Sequence, residues 1–227
     1  MYAHLAHHYD ELFPLDDQIK PFLEGFLYSQ GNALDLGCGT GRLTQIMHDG
    51  GMQVIGIDLD EVMIEVARMK HPDVHFKVQN MLDAFEDKTY DLITCFGNTL
   101  PHLDEKSLEN FLKLVSNHLS NRGVLIIQML NYDLVMRNRP RSLKTIEKPN
   151  LKFERLYTYI DDHISFETRL TIHETTLSGT HQLYPHLMST LTHLIEKNQM
   201  KPTFLGDDLK STLNPNAPYM TILIHKT

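Results

Sequence analysis

The sequence is short of cysteine, of basic charge and of long apolar runs, and each shortage removes a class of protein. Its two cysteines, Cys38 and Cys95, make neither a disulfide framework nor a zinc site, and they suit a reducing cytosol. No uninterrupted apolar stretch reaches the roughly 18 residues of a membrane span, and no charged-then-apolar leader is visible. A soluble, cytoplasmic chain is therefore expected. Against 29 Asp and Glu there are only 21 Lys and Arg, a net charge of −8, whereas neutralising phosphates requires clustered cations. The densest basic stretch, Arg137 to Arg141 with Lys144 and Lys148, is short and reads as a solvated loop. The expected partner is a small molecule, with neither nucleic acid nor membrane, on a monomer or homodimer. Histidine is plentiful, and His4, His7 and His8 have the spacing of one helix face. No H-x-x-E or Cys/His pattern completes a metal shell, so no metal is expected.

The most informative stretch is Ala33-Leu34-Asp35-Leu36-Gly37-Cys38-Gly39-Thr40-Gly41. A short apolar run carrying Asp35 reads as a buried strand, and the alternating glycines that follow allow positive φ and leave room for a ligand against bare backbone. The helix suggested by Arg42 to Met47 aims its N-terminal amides at the same place, so a nucleotide-like ligand is expected there. Spacing argues against two alternatives. The dinucleotide fingerprint G-x-G-x-x-G would put its third glycine at position 42, but it falls one place early, at Gly41. No Lys follows for a phosphate-cradling GxxxxGK[ST] loop.

The apolar-run-then-acid pattern repeats at Val54-Ile55-Gly56-Ile57-Asp58, where an acid ending the second strand can accept bonds from ribose hydroxyls. Asp60 reads as an N-cap. A third strand runs from Val74 to Gln79, a fourth from Tyr90 to Phe96 and a fifth from Val124 to Met129, with helices at about 41–49, 60–69 and 105–119. Asn121-Arg122-Gly123 ends the last of these helices. Strands alternating with helices predict a parallel sheet covered on both faces. An amphipathic section, Tyr2 to Tyr28, precedes it. Beyond Arg137 the alternating segments 153–160, 163–173 and 179–187, separated by Asp161-Asp162 and Leu177-Ser178-Gly179, predict an antiparallel meander. A helix at about 189–197 and a last strand at 219–225 rejoin the main domain. The domains are then 1–136 with 188–227, and an insert at 137–187.

The D-x-G-x-G-x-G form resembles the first motif of the class I S-adenosylmethionine-dependent methyltransferases. Two further segments resemble the glycine/sarcosine N-methyltransferase branch: Gly97-Asn98-Thr99 with His102-Leu103, and Asn131-Tyr132-Asp133 after the fifth strand. The resemblance implies a doubly wound, mostly parallel seven-stranded Rossmann-like α/β sheet with an inserted antiparallel β cap. It implies transfer of a methyl group from S-adenosylmethionine to nitrogen or oxygen of a small acceptor. Cofactor-binding positions become Tyr9, Asp35, Gly37, Cys38, Gly39, Asp58 for the ribose, Leu59 and Met63 beside the adenine, Asn80 and Met81 at its polar edge, and Phe96 with Gly97. Asn98 and His102 become catalytic positions, and Asn98, Tyr132, Tyr157 and Tyr184 line the acceptor site. The branch's carboxylate-binding arginine is Leu130 here. The acceptor accordingly lacks a free α-carboxylate or has it held by another base such as Arg155 or Arg169. The competing readings are a non-catalytic cofactor-binding regulator and an NAD-dependent oxidoreductase.

Overall fold

The computed structural model describes residues 3–227; Tyr2, which opens the N-terminal section expected above, lies outside them. The N-terminal section is a 3-10 turn, Ala3–His8, followed by α1 (Tyr9–Leu12) and α2 (Ile19–Glu24). Then come β1 (Asn32–Leu36), α3 (Arg42–Asp49), β2 (Gln53–Asp58), α4 (Glu61–Lys70), β3 (His75–Val78), β4 (Tyr90–Cys95), α5 (Glu105–His118) and β5 (Leu119–Leu130). After α6 (Tyr132–Asn138), a second sheet is built from β6 (Ile146–Lys148), β7 (Leu151–Tyr159), β8 (Ile164–Ile172) and β9 (Thr175–Leu183). The chain closes with α7 (Met188–Lys197), β10 (Met200–Leu205) and β11 (Tyr219–Lys226).

The main sheet has the order β10-β11-β5-β4-β1-β2-β3. β1 pairs in parallel with both β2 and β4, and β4 with β5, while β11 runs antiparallel to β5 and β10. Strand order therefore reverses at β1 and β4, and a crevice opens beyond their carboxyl ends, where open α/β sheets bind ligands. Both faces of this sheet are buried, as a parallel sheet flanked by helices requires. Along β5, Val124 and Ile126 join the core formed with α2 to α4, while Leu125 and Ile127 join the core formed with α5 and α7. A third core of Leu5, Leu12, Met63, Val66, Phe153 and Leu170 packs the N-terminal section between α4 and the second sheet.

Helix boundaries follow their caps. Asp60 accepts from the amides of Val62 and Met63 to start α4, and Asp104 accepts from Ser107 to start α5. The end of α5 departs from expectation. The helix stops at His118, and Leu119 is already extended and paired with Tyr90. Gly123 serves the sheet instead: a Cβ there would lie 2.7 Å from the Tyr90 carbonyl oxygen, beside the register shift between Tyr90 and Leu92. The meander also turns earlier than Leu177-Ser178-Gly179. His173, at φ +53°, and Glu174 join β8 to β9, and Gly179 pairs with Thr168 inside the ladder. A Cβ on Gly179 would come within 3.0 Å of the His4 ring, so this glycine allows the N-terminal section to approach. Two strands, β6 and β10, were not among the segments expected from the sequence.

Candidate active site

A cavity of about 800 Å³ lies over the crevice, walled by the main sheet on one side and by the N-terminal section and second sheet on the other. Its floor is the loop after β1. Gly37, Gly39 and Gly41 all have positive φ, at 69°, 53° and 85°. Their roles differ. A Cβ on Gly41 would strike the Phe76 ring at 2.6 Å, so this glycine lets α3 pack closely on the sheet; one on Gly39 would meet only the Tyr9 ring, at 3.7 Å. Gly39 is thus bare backbone facing the cavity, with Tyr9 above it.

Two acids hold the loop. Asp35 is fully buried, its carboxylate accepting from Thr44 Oγ1 at 2.6 Å and Thr94 Oγ1 at 2.7 Å. Burial raises its pKa to about 6 in spite of these bonds. It ties β1 to α3 and β4 from behind the loop. Asp58, at the end of β2, accepts from the amides of Gly39 at 3.0 Å and Asp60 at 2.9 Å. Burial raises its pKa too. One amide bond to each oxygen leaves lone pairs for further donors, and the residue lines the cavity.

Of the other positions drawn from the sequence, Cys38, Leu59, Met63, Asn80 and Met81 line the same cavity. Leu59 is exposed, whereas Met63 is buried in the core beneath the N-terminal section. Asn80 uses its Oδ1 to accept from the Leu82 amide at 2.9 Å. Phe96, Gly97 and Asn98 form the rim after β4. Asn98, at φ +65°, donates from Nδ2 to the Tyr132 hydroxyl at 3.1 Å and accepts from the Leu130 amide at 3.1 Å. His102 touches both the main cavity and a smaller cleft that contains His181 and Tyr184. Burial and the neighbouring His181 lower its pKa to about 4, so its imidazole is neutral at pH 7.

Tyr132 and Tyr184 do not line the main cavity: the first is buried beneath Asn98, and the hydroxyl of the second donates to Gln182 at 3.2 Å. Tyr157 does line it. Arg155 also lines it, whereas Arg169 is exposed and bonded through Nε and Nη2 to Glu167. Among the described residues no group of three or more His, Cys, Asp or Glu is placed to hold a metal, and no helix is long and apolar enough to cross a membrane.

Sequence reasoning missed the contribution of Asp10, which accepts from Thr40 at 2.5 Å and lies 3.1 Å from Arg42 and beside Lys70. It also missed Tyr219, brought to the cavity by its pairing with Leu130 at the end of β5. Asp10 directly follows Tyr9, which the resemblance already brings to the cofactor. Nothing local signals the second, because it depends on the register of a strand distant in sequence.

Residues 33–123 match the model of a family described as "Methyltransferase domain". The chain is 35% identical over 99 residues to trans-aconitate 2-methyltransferase of Rhizobium rhizogenes, covering 43% of this chain and 38% of that protein. It is 27% identical over 139 residues to mouse glycine N-methyltransferase, covering 52% and 47%. The match spans less than half the length of either relative. The fold aligns with the crystal structure of an S-adenosylmethionine-dependent methyltransferase from Clostridium acetobutylicum at a TM-score of 0.85 and 19% identity, over 99% of this chain and 98% of that one.

Proposed function

We propose, from the match of residues 33–123 to a family model described as a methyltransferase domain and from the fold shared with an S-adenosylmethionine-dependent methyltransferase, that the chain transfers a methyl group from S-adenosylmethionine to nitrogen or oxygen of a small-molecule acceptor. One arrangement carries this reading: the Asp58 carboxylate at the cavity edge, oriented by the amides of Gly39 and Asp60. These residues suit the cofactor, since Asp58 keeps lone pairs for ribose hydroxyls and Gly39 leaves backbone open to the ligand. The cofactor supplies a methyl carbon on a positively charged sulfur, which an acceptor lone pair takes as the C–S electrons return to sulfur.

The protein's part is alignment and exclusion of water. Tyr9 covers the glycine loop, and the second sheet walls the acceptor end through Phe153, Tyr157 and Phe166. The neutral His102 adds no positive charge beside a cationic reacting centre. Asn98 acts as a positioning residue, fixing the turn after β4 against the end of β5. The net charge of −8 supports a small acceptor over nucleic acid, and two cysteines outside any disulfide support a cytosolic setting.

Calorimetric titration with S-adenosylmethionine, followed by assay of S-adenosylhomocysteine release with amines and hydroxylated metabolites, tests the reading. Binding with turnover is expected. Absence of cofactor binding, or preferential binding of NADH, would remove it, and binding without turnover of any acceptor would favour a regulatory protein.

A further inference from the structure

Arg155 and Tyr157 stand two residues apart on β7, on one face of the strand, and both side chains line the cavity. Each carries a buried polar atom without a hydrogen-bond partner among the described residues: Nε of Arg155 and the hydroxyl of Tyr157. The rest of the guanidinium is held in place. Nη2 donates to the Lys144 carbonyl at 2.8 Å, the group hydrogen-bonds the Tyr219 side chain, and its carbon sits 5.8 and 5.7 Å from the ring centroids of Phe13 and Phe153. Among the described residues it forms no ion pair with a carboxylate. The other arginine on the cavity, Arg42, is by contrast paired with Asp10. Leaving buried donors unmade costs free energy, and a half-buried guanidinium facing a cavity without a counter-ion costs more. Burial keeps the Tyr157 phenol protonated by raising its pKa, so both vacant atoms are donors.

We infer, building on the methyltransferase reading, that Arg155 and Tyr157 form a seat for an anionic oxygen group of the acceptor, so that the enzyme methylates a small amine or alcohol bearing a carboxylate or phosphate. The seat is at the end of β5 that carries Leu130, since Tyr219, which contacts Arg155, is the strand partner of Leu130. Leu130 itself offers no charge there. The cation is delivered from the second sheet instead, and Arg169, tied to Glu167, takes no part.

The test uses the full chain and matched pairs of compounds: β-alanine with β-alaninamide, anthranilate with aniline, and phosphoethanolamine with ethanolamine. Binding to the protein saturated with S-adenosylhomocysteine is measured calorimetrically, and methyl transfer is measured separately. The anionic member of at least one pair is expected to bind about 100-fold more tightly, on the scale of a charge-assisted hydrogen-bonded contact. Arg155→Gln should erase the preference, Arg155→Lys restore part of it, and Tyr157→Phe reduce it about tenfold, all without change in affinity for S-adenosylmethionine. The carboxylate and phosphate pairs show which anion fits. Equal binding of charged and neutral members, or a loss confined to S-adenosylmethionine affinity in Arg155→Gln, overturns the seat. Arg155-dependent anion binding without any methyl transfer keeps the seat and removes the transferase reading. Transfer to neutral acceptors that is indifferent to Arg155 does the reverse.

Discussion

The Asn98 side chain accepts the Leu130 amide hydrogen at 3.1 Å and so fastens the turn after β4 to the last residue of β5. Its other end donates to Tyr132, and its backbone is left-handed at φ +65°. Asn98→Ala should therefore cost stability, about 1–3 kcal/mol for the amide left unpaired, in addition to the backbone strain that alanine brings to this φ. Asn98→Gly should lose the same bonds without that strain and fall between alanine and wild type. Urea denaturation at unchanged slope reads both. Full stability of Asn98→Ala would mean that the residue serves the acceptor alone.

Asp58→Ala is expected to weaken S-adenosylmethionine binding by about 1.5–3 kcal/mol, the range for hydrogen bonds to a charged group, or roughly 10- to 150-fold in Kd. The same change frees the Gly39 and Asp60 amides that the carboxylate now holds, so Asp58→Asn, which keeps an acceptor oxygen, should lose less. Titration calorimetry on both variants decides, and unaltered affinity in the alanine variant would refute the ribose assignment.

The two glycines at Gly39 and Gly41 should separate binding from folding. A side chain at Gly39 faces the cavity, with the Tyr9 ring 3.7 Å from its Cβ, whereas one at Gly41 meets Phe76 at 2.6 Å. Gly39→Val is expected to lose cofactor binding and, because the φ of 53° at this position also disfavours a β-branched residue, to lower the melting temperature while keeping a folded circular dichroism spectrum. Gly41→Ala is expected to lower the melting temperature markedly, since both a positive φ and a ring oppose the new methyl. A folded Gly39→Val that binds normally would dissociate the loop from the cofactor.

Asp35 should leave a signature in the pH dependence of stability. Its pKa of about 6 in the folded chain lies above the usual unfolded value near 3.9. Between these values the folded chain holds a proton that the unfolded chain has released, so stability falls as pH rises through that window and levels off above it. Asp35→Asn lacks this titration. Its stability relative to wild type should therefore rise by roughly 3 kcal/mol between pH 4 and 7, at 1.36 kcal/mol per pKa unit. A difference independent of pH would show that Asp35 is ionised in the fold throughout.

The sequence made the sheet legible where chemistry is local. Asp35 with its three glycines marked the turn after β1, and the fully buried run Tyr90–Cys95 marked a central strand. What escaped depended on distant partners. Gly123 looked like a helix stop because its neighbour Tyr90 is more than 30 positions away in sequence, and Gly179 looked like a turn because His4 comes from the other end of the chain. Likewise, Arg155 and Arg169 were equivalent in sequence until Glu167 occupied one and the cavity took the other. Tyr132, read as an acceptor contact, lies behind Asn98, because a tyrosine after a strand carries no mark of which way it faces.

Asp10 ties the N-terminal section to Thr40 and Arg42 of the loop region and to Lys70 of α4. Burial opposes its ionisation, but the bonds from Lys70 and Thr40 with the charge of Arg42 prevail and hold its carboxyl below the ordinary range. A ligand seated on Gly39 would have Tyr9 as its roof, and Tyr9 immediately precedes Asp10 in the chain. Salt weakens ion pairs of this partly exposed kind, so on the proposed reading the affinity of this site for its ligand is expected to fall as ionic strength rises.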